Sequence, residues 1–596
     1  MKLSKLYSNQ PTLFKPIEFT QGMNVILAEI RLPENKEKDT HNLGKTTLGS
    51  LLDFGLLSTK DLKFFLFKHI QLFKDFIFFL EIELEEGSYL TMRRSVESAT
   101  KISFKKHTAC YQDFSALSKW DHLDIPFDRA QIMLDSLLDL RALKPWSYRK
   151  CLGYLLRSQN DFRDVFRLDA FKGKASDWKP FLAHIFGFND ELIKQYYKKE
   201  DELKIKENET KIINRELGGS LEDISKIESI LLIKREELGK KQAFLNGFDF
   251  GEEDKDKIEI LVDKIDQEIA ELNAESYSLK QSRQKILSAI KEDKILFNPD
   301  EAAKIFREAN VFFEGQIKKD FEQLIAFNRA ITDERSAYLQ EEFLEVEARL
   351  KQVNAELLKL NTQRLDTLDF LSDTDVFNKY KQMSNELTFL RADIIELERQ
   401  REFLHRLQAL RSEVRELKNE CRHIQAQIEE NVEQQTSDST SLFSSIQRFF
   451  NEIVKIVIDR NAILSVSVNS KGHLDFKAEI LDGLGNTTSA DLGHTYRKLL
   501  CIAFDMALLR AHLEEKFPRF VYHDGVFESL DSRKKEKLLA VMRGYANLGI
   551  QSVITLIDSD LPNEWGNKAS VFDEGEIVLV LHDENEQGRL FKMGAW

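Results

Sequence analysis

The chain is poor in the residues that staple small or secreted domains. Its 596 residues include four cysteines, Cys110, Cys151, Cys421 and Cys501, far apart and with no C-x-x-C pair. That excludes a disulfide framework, a zinc ribbon and a zinc hook, and it fits a reducing cytoplasm. Long apolar runs are also missing. The Phe-rich stretch from Phe64 to Leu80 is broken by Lys68, Lys74 and Asp75, and the start, Met1 to Tyr7, lacks a signal-peptide core. Neither a membrane span nor a secretory leader is expected, so the chain reads as cytoplasmic with no membrane partner. Only 9 prolines and 25 glycines accompany 31% charged and 42% hydrophobic residues. This is the balance of a helix-rich, partly coiled-coil protein. Net charge is −14, so any nucleic-acid contact has to come from local basic patches. No nuclease, protease or deaminase constellation is found.

What the chain does have is a short phosphate-loop signal. A strand-like run, Met23 to Ala28, leads to Lys38-Asp39-Thr40-His41-Asn42-Leu43-Gly44-Lys45-Thr46-Thr47-Leu48, and an apolar helix-like run follows to Leu57. Gly-Lys-Thr between a strand and a helix ends a phosphate-binding loop. Backbone N–H groups wrap phosphates there, the lysine reaches the outer ones, and the hydroxyl ligates Mg²⁺. The motif's first glycine falls at position 39, which is Asp39, and a charged segment, Arg31 to Lys38, precedes the loop.

Residues 1–190 read as mixed α/β. Strands are expected at Lys2–Tyr7, Leu13–Phe19 and Met23–Ala28, and a hairpin at Phe76–Glu85 and Tyr89–Val96. A basic cluster, Lys101, Lys105, Lys106 and His107, reads as solvated surface charge. An apolar run from Tyr154 ends in the polar stretch Ser158-Gln159-Asn160 before Phe162. In an ATP site a glutamine so placed reaches Mg²⁺ and its water; elsewhere it is an ordinary loop residue.

Residues 191–435 change to Lys, Glu, Leu, Gln and Ile. Met383, Leu387, Leu390, Ile394, Leu397, Leu404 and Leu407 alternate threes and fours. The pattern slips by three and resumes at Leu410, Val414, Leu417, Cys421, Ile424 and Ile428, a coiled-coil seam with one change of phase. Breaks fall near 246–253, 297–300 and 369–375. An antiparallel hairpin in two stages accounts for them, 191–245 with 376–435 and 254–294 with 325–366. Its tip lies near 299–319 and its elbow at the paired breaks. Straight, such an arm spans roughly 140 Å. Separate small bundles are the alternative.

Residues 436–596 return to a globular pattern: a helix near Leu442–Ile458, strands at Ala462–Val468 and His473–Glu479, then Ser489 to Lys498 leading into an apolar helix, Leu499–Leu509. The strand Phe520 to His523 ends in Asp524, where a carboxylate beside a phosphate loop holds Mg²⁺ through water. A further strand, Ser552–Leu556, follows.

A split head, with the phosphate loop first and an Asp-ended strand last, joined by a long antiparallel coil, resembles the SMC/Rad50/RecN group of ABC-type ATPases. The Thr-His-Asn-Leu-Gly-Lys-Thr loop, the His523-Asp524 strand end and the closing Leu581-His582-Asp583 with Gly588-Arg589-Leu590-Phe591 carry a narrower likeness. They resemble the DUF2326 and ABC-three-component proteins, akin to the SMC-like subunit of Lamassu anti-phage systems. The resemblance implies an α/β ABC-type ATPase head built from both chain ends, with a coiled-coil insertion. It implies that ATP and Mg²⁺ are the cofactors. Asn42, Leu43, Gly44, Lys45, Thr46 and Thr47 would hold the nucleotide, and Thr46, Gln159 and Asp524 the metal. Gly493 and Arg497 would form the signature segment presented to a second head in trans, and Ser529-Leu530-Asp531 the loop that touches it.

Two departures bear on catalysis. The group places glutamate directly after the strand-end aspartate, and here that residue is Gly525. The histidine after the last core strand is also missing from Ile554 to Ser559. Glu528, three positions beyond Gly525, and Asp531 are the weak catalytic candidates, with Asp558 a further substitute. Slow hydrolysis is the expectation, with ATP acting mainly as a dimerising ligand. Three functions fit. One is a DNA sensor of a bacterial anti-phage or anti-plasmid defence complex, dimerising through ATP-sandwiched heads on double-stranded DNA. It would control a separate effector, a nuclease, together with a small accessory subunit. The second is a repair ATPase of the RecN/Rad50 kind, and the third a coiled-coil scaffold with inactive nucleotide sites. Without C-x-x-C, tip-to-tip zinc joining is unavailable, which leaves Phe306, Phe312 and Phe313 as tip contacts or as the core of a small tip fold.

Overall fold

The computed structural model describes residues 1–32, 43–117, 119–168, 173–216, 224–246, 255–296, 315–369, 375–488, 493–528, 530–561, 571–594 and 596. Asn42, most of the phosphate loop, the elbow segments, the tip with its three phenylalanines, positions 489–492 and Ser529 lie outside the described residues. The chain divides into two compact units, Met1–Glu200 with Asn419–Trp596, and Asp201–Lys418.

In chain order the strands are β1 (Lys2–Ser8), β2 (Ile17–Glu18), β3 (Met23–Glu29), β4 (Ile77–Glu85), β5 (Ser88–Ser95), β6 (Lys101–His107), β7 (His122–Pro126), β8 (Leu156–Arg157), β9 (Ala462–Val468), β10 (Leu474–Ile480), β11 (Phe520–His523), β12 (Gln551–Ile557) and β13 (Ile577–His582). The first half of the helices comprises α1 (Lys45–Gly55), α2 (Phe65–Lys68), α3 (Ile70–Phe73), α4 (Phe127–Leu138), α5 (Tyr148–Leu155), α6 (Ala175–Ile185) and α7 (Asp190–Glu216). The rest are α8 (Ile224–Asn246), α9 (Lys255–Leu296), α10 (Gly315–Asp369), α11 (Asp375–Ser437), α12 (Leu442–Ile458), α13 (His494–Ala511) and α14 (Ser532–Asn547).

In the first unit one sheet is antiparallel, in the order β2-β1-β4-β5-β6-β7, and a second is parallel, in the order β13-β3-β12-β11-β8. The parallel sheet draws β3 and β8 from one chain end and β11, β12 and β13 from the other, so neither end makes the head alone. Its inner strands are mostly apolar. Val25, Ile26 and Ala28 of β3 and Val553, Ile554 and Leu556 of β12 are fully buried, as strands covered on both faces must be. The expected strand at Leu13–Phe19 shortens to Ile17–Glu18.

Helix α1 lies between the sheets because it carries glycines where each sheet approaches. A Cβ on Gly49 would meet the Tyr522 ring at 2.6 Å, and one on Gly55 would meet Leu80 at 2.9 Å. Each glycine costs the helix about 0.5–1 kcal/mol relative to alanine; close packing offsets that. The Phe-rich stretch is core. Phe14, Phe73, Phe76 and Phe78 surround Phe591, with ring centroids 5.0–6.2 Å away, and this clamps the last residues onto the N-terminal sheet. No helix among the described residues is long and apolar enough to cross a membrane.

The second unit is helical, and its ion-paired helices run antiparallel to one another. Ion pairs run Lys206–Glu413 and Glu207–Lys418 between α7 and α11, Lys234–Asp393 and Lys241–Glu386 between α8 and α11, and Arg283–Glu347 and Glu275–Arg349 between α9 and α10. Exposed pairs of this kind stabilise little, but they report the register. The apolar seam is as the heptads require, with Leu387, Leu390, Ile394, Leu404, Leu407 and Leu410 all buried. The change of phase falls where Leu407 and Leu410 both pack on Ile213.

The unit is not a straight rod. Ser384 of α11 donates to Asp266 of α9 at 2.6 Å, and Arg399 of α11 donates to Ser278 of α9. Along this contact α9 runs in the same direction as α11, whereas α8 runs opposite to it. The distal hairpin α9–α10 therefore folds back beside α8–α11. A buried polar knot holds the fold-back: Arg364 of α10 pairs with Asp266 at 2.7 Å, both side chains being 6% exposed, and also donates to Ser384 and Asn385. Arg364→Met strands the Asp266 carboxylate and is expected to weaken this contact by about 3 kcal/mol. Hydrogen exchange of the α9 amides near 266–286 should then accelerate about 100-fold. Unchanged protection would show that the knot does not hold the hairpin.

Candidate functional site

The carboxyl ends of the parallel strands face one edge, where ligands of open α/β sheets sit. β3 leads towards Gly44, β11 ends at Asp524, β12 runs on to Asp558–Asp560, and β8 leads into the short 3₁₀ turn Gln159–Arg163. Lys45, Thr46, Gln159, Asp524 and Glu528 thus come together from separate segments of the chain.

Gly44 is the residue before α1, with φ +100°, a left-handed conformation that favours glycine. A Cβ there would meet Leu590 Cβ at 2.7 Å. Leu590 reaches this spot because its N–H donates to the Leu43 carbonyl at 3.0 Å. Lys45, the first residue of α1, is 7% exposed. Burial lowers its proton affinity, while Asp524, Glu528 and Asp560 oppose that effect. A buried ammonium at a helix start has a strong preference for an anion. The Thr46 hydroxyl donates to Asp524 Oδ2 at 2.7 Å. Asp524 is fully buried, and its other oxygen accepts from the Thr555 hydroxyl at 2.6 Å. Tyr522 donates to the Lys45 carbonyl at 2.8 Å, tying β11 to the start of α1.

These groups suit a nucleotide and its metal. An ammonium, hydroxyls and the N–H groups at a helix start serve phosphate, and one hydroxyl with one carboxylate is the partial oxygen set Mg²⁺ takes when phosphates complete its shell. A cavity of about 420 Å³ opens beside Thr46 and Asp524, walled by Gly49, Asp53, Arg149 and Tyr522.

The other expected residues divide. The Gln159 amide donates to Glu528 Oε1 at 2.8 Å. Asp531 serves the local fold instead. It caps α14 by accepting from Lys534 N at 3.0 Å and pairs with Lys534 Nζ at 2.6 Å. Asp558 accepts from Ile30 N at 3.2 Å. Gly493 caps α13, and Arg497, one turn on, donates to the Arg163 carbonyl at 3.2 Å. In the basic cluster Lys105 pairs with Asp121 at 2.6 Å.

Three site residues are not expected from the sequence. Thr555 lies on the last core strand, near where a histidine would be expected, and it both donates to Asp524 and accepts from Gly525 N at 2.9 Å. Asp560 lies where burial, and then Glu528, push its carboxyl above the usual range, with one oxygen buried and without a hydrogen-bond partner among the described residues. Lys498, 2% exposed on α13, donates at 2.8 Å to both the Gly525 carbonyl and Glu528 Oε2. A lysine directly before the apolar run Leu499–Phe504 was the available signal.

Residues 453–595 match the family model described as an uncharacterised protein conserved in bacteria (DUF2326). The uncharacterized protein YydD of Bacillus subtilis (strain 168) is 20% identical over 488 residues, which are 79% of this chain and 76% of that protein. Among solved structures, the Smc head domain with a coiled coil and joint from Pyrococcus yayanosii aligns over 99% of this chain and 96% of its own, with 12% identity and a TM-score of 0.35. The Smc head domain with an extended coiled coil bound to the C-terminal domain of ScpA, from Pyrococcus furiosus, aligns over 94% and 92%, with 12% identity and a TM-score of 0.31. The fold itself is an α/β ABC-type head made from the two chain ends, with a long antiparallel helical insertion, and it stands on the strand order and the shared sheet.

Proposed function

We propose that this chain is an SMC-like ATP-binding protein whose heads pair around ATP–Mg²⁺ and that it senses double-stranded DNA in a bacterial defence complex. Lys45, Thr46 and Thr47 hold the phosphates, Thr46, Asp524 and Gln159 the Mg²⁺, and Gly493 with Arg497 faces the nucleotide of the second copy. The observation that carries the reading is the 2.7 Å bond between Thr46 and a fully buried Asp524 from opposite chain ends, beside a buried Lys45. A carboxylate and an ammonium withdrawn from water are costly unless they are paired or hydrogen-bonded, and Mg²⁺ and phosphate are partners that would stabilise them.

The defence role, the separate nuclease effector and the small accessory subunit are the parts of the proposal drawn from the resemblance, and the cytoplasmic setting is drawn from the cysteine and hydropathy pattern. Sizing of the full chain with and without ATP–Mg²⁺ and a linear duplex tests the core of it, beside Lys45→Ala. ATP should double the mass and promote duplex binding in the wild type alone. A mass and duplex affinity indifferent to nucleotide would leave a scaffold.

A further inference from the structure

Hydrolysis of a nucleotide here needs a group to orient the attacking water, and the residue after Asp524 offers none. The backbone explains how another can take that place. Gly525 adopts φ +67°, in the left-handed region that favours glycine. A Cβ at position 525 would come within 2.5 Å of Glu528 Oε1 and 2.7 Å of its Cδ. The Glu528 carboxylate therefore fills the volume that a side chain on residue 525 would use. The turn from Gly525 to Glu528 brings it back there, so three residues of sequence separation become almost none in space.

The carboxylate is fixed at both oxygens. Gln159 Nε2 donates to Oε1 at 2.8 Å, and Lys498 Nζ donates to Oε2 at 2.8 Å while its other bond holds the Gly525 carbonyl. An ionised carboxylate has about four acceptor sites, so two donors leave it able to bind water. Its side chain is 28% exposed, which gives water access, whereas Lys498 is 2% exposed.

We propose that Glu528 is the carboxylate that orients the hydrolytic water, and that Lys498 is the residue that positions it. The proposal rests on the nucleotide reading above. In the step it serves, the oxygen of water bonds to the γ-phosphorus of ATP as the bond from that phosphorus to the β–γ bridging oxygen breaks. ADP leaves with the bond's electron pair, and the water proton passes by way of Glu528 to the phosphate released. Thr46 and Asp524 are the residues available to hold the metal. Glycine at 525 is then a requirement of the displaced arrangement, since a side chain there would drive Glu528 off its two donors.

The test uses the full-length chain, radiolabelled ATP in single turnover, and sizing in parallel. Glu528→Gln, nearly isosteric, should bind ATP as the wild type does and form the ATP-dependent dimer. It should slow phosphate release by about 10²–10⁴-fold and lengthen the life of that dimer correspondingly. Lys498→Met should lower kcat about 10-fold or more with KM unchanged, as expected when only the orientation of Glu528 is lost. A Glu528→Gln chain that releases phosphate at the wild-type rate overturns the proposal and leaves the nucleotide reading standing. So does a wild type that binds ATP and never hydrolyses it. A wild type that binds no ATP overturns both.

Discussion

Replacing Arg157 by methionine is expected to destabilise the head by about 3–5 kcal/mol. Arg157 is fully buried at the end of β8 and makes two bonds of 2.7 Å to Asp505, which is itself fully buried in α13. Its remaining donors satisfy the carbonyls of Asp161, Asp164 and Val165 at 2.8–3.2 Å. Burial opposes the guanidinium charge, but Asp505 outweighs it and holds the proton more tightly than usual. His523 adds a contact to Asp505 at 3.1 Å. The pair thus joins β8, β11 and α13, which come from opposite chain ends, immediately behind Gln159 and Asp524. Methionine would leave the buried Asp505 without its main partner, whereas the double change Arg157→Met with Asp505→Leu removes both members of the pair and should recover most of the loss. Urea unfolding of the three proteins reads this directly. A single-mutant loss below about 1 kcal/mol would mean that water replaces the guanidinium, and the pair would not be the link between the chain ends.

The second large effect concerns the metal. Asp524→Asn removes the charge but keeps the size, and its two acceptor contacts, to Thr46 and Thr555, cannot both survive because one oxygen becomes a donor. ATP affinity in the presence of Mg²⁺ should fall about 100-fold. In EDTA the wild type and the variant should bind ATP alike, since the carboxylate then has no cation to serve. If the difference persists without metal, Asp524 acts on folding or on phosphate and not on Mg²⁺.

Much of the site was legible because its parts are local patterns. Gly44-Lys45-Thr46 after a strand, and Asp524 at the end of an apolar one, each declare themselves within a few residues, and the structure brings them to one edge. Lys498, Thr555 and Asp560 were not legible, because each owes its place to a contact with a residue distant in sequence. Glu528 was visible as a carboxylate three positions late. That it lies over Gly525 depends on a left-handed φ that glycine permits and sequence does not reveal. Asp531 pointed the other way: an aspartate at a helix start is more economically a cap, and it is one.

The arm shows the same division. Heptad spacing marked the seam residues and their change of phase, and the placement of the breaks suggested an antiparallel pairing of the helices. It could not give the fold-back, which depends on Asp266, Arg364 and Ser384 meeting from three helices. Periodicity describes one face of one helix; which faces meet is a tertiary matter.

The central claim, that the two chain ends build a nucleotide site, is tested most directly by calorimetric titration of ATP–Mg²⁺ into the full-length wild type and into Lys45→Ala. Truncating one partner of a buried charge contact costs about 2–5 kcal/mol, so the variant should bind at least about 30-fold more weakly. Heats indistinguishable between the two proteins, or no binding to the wild type, would contradict the account.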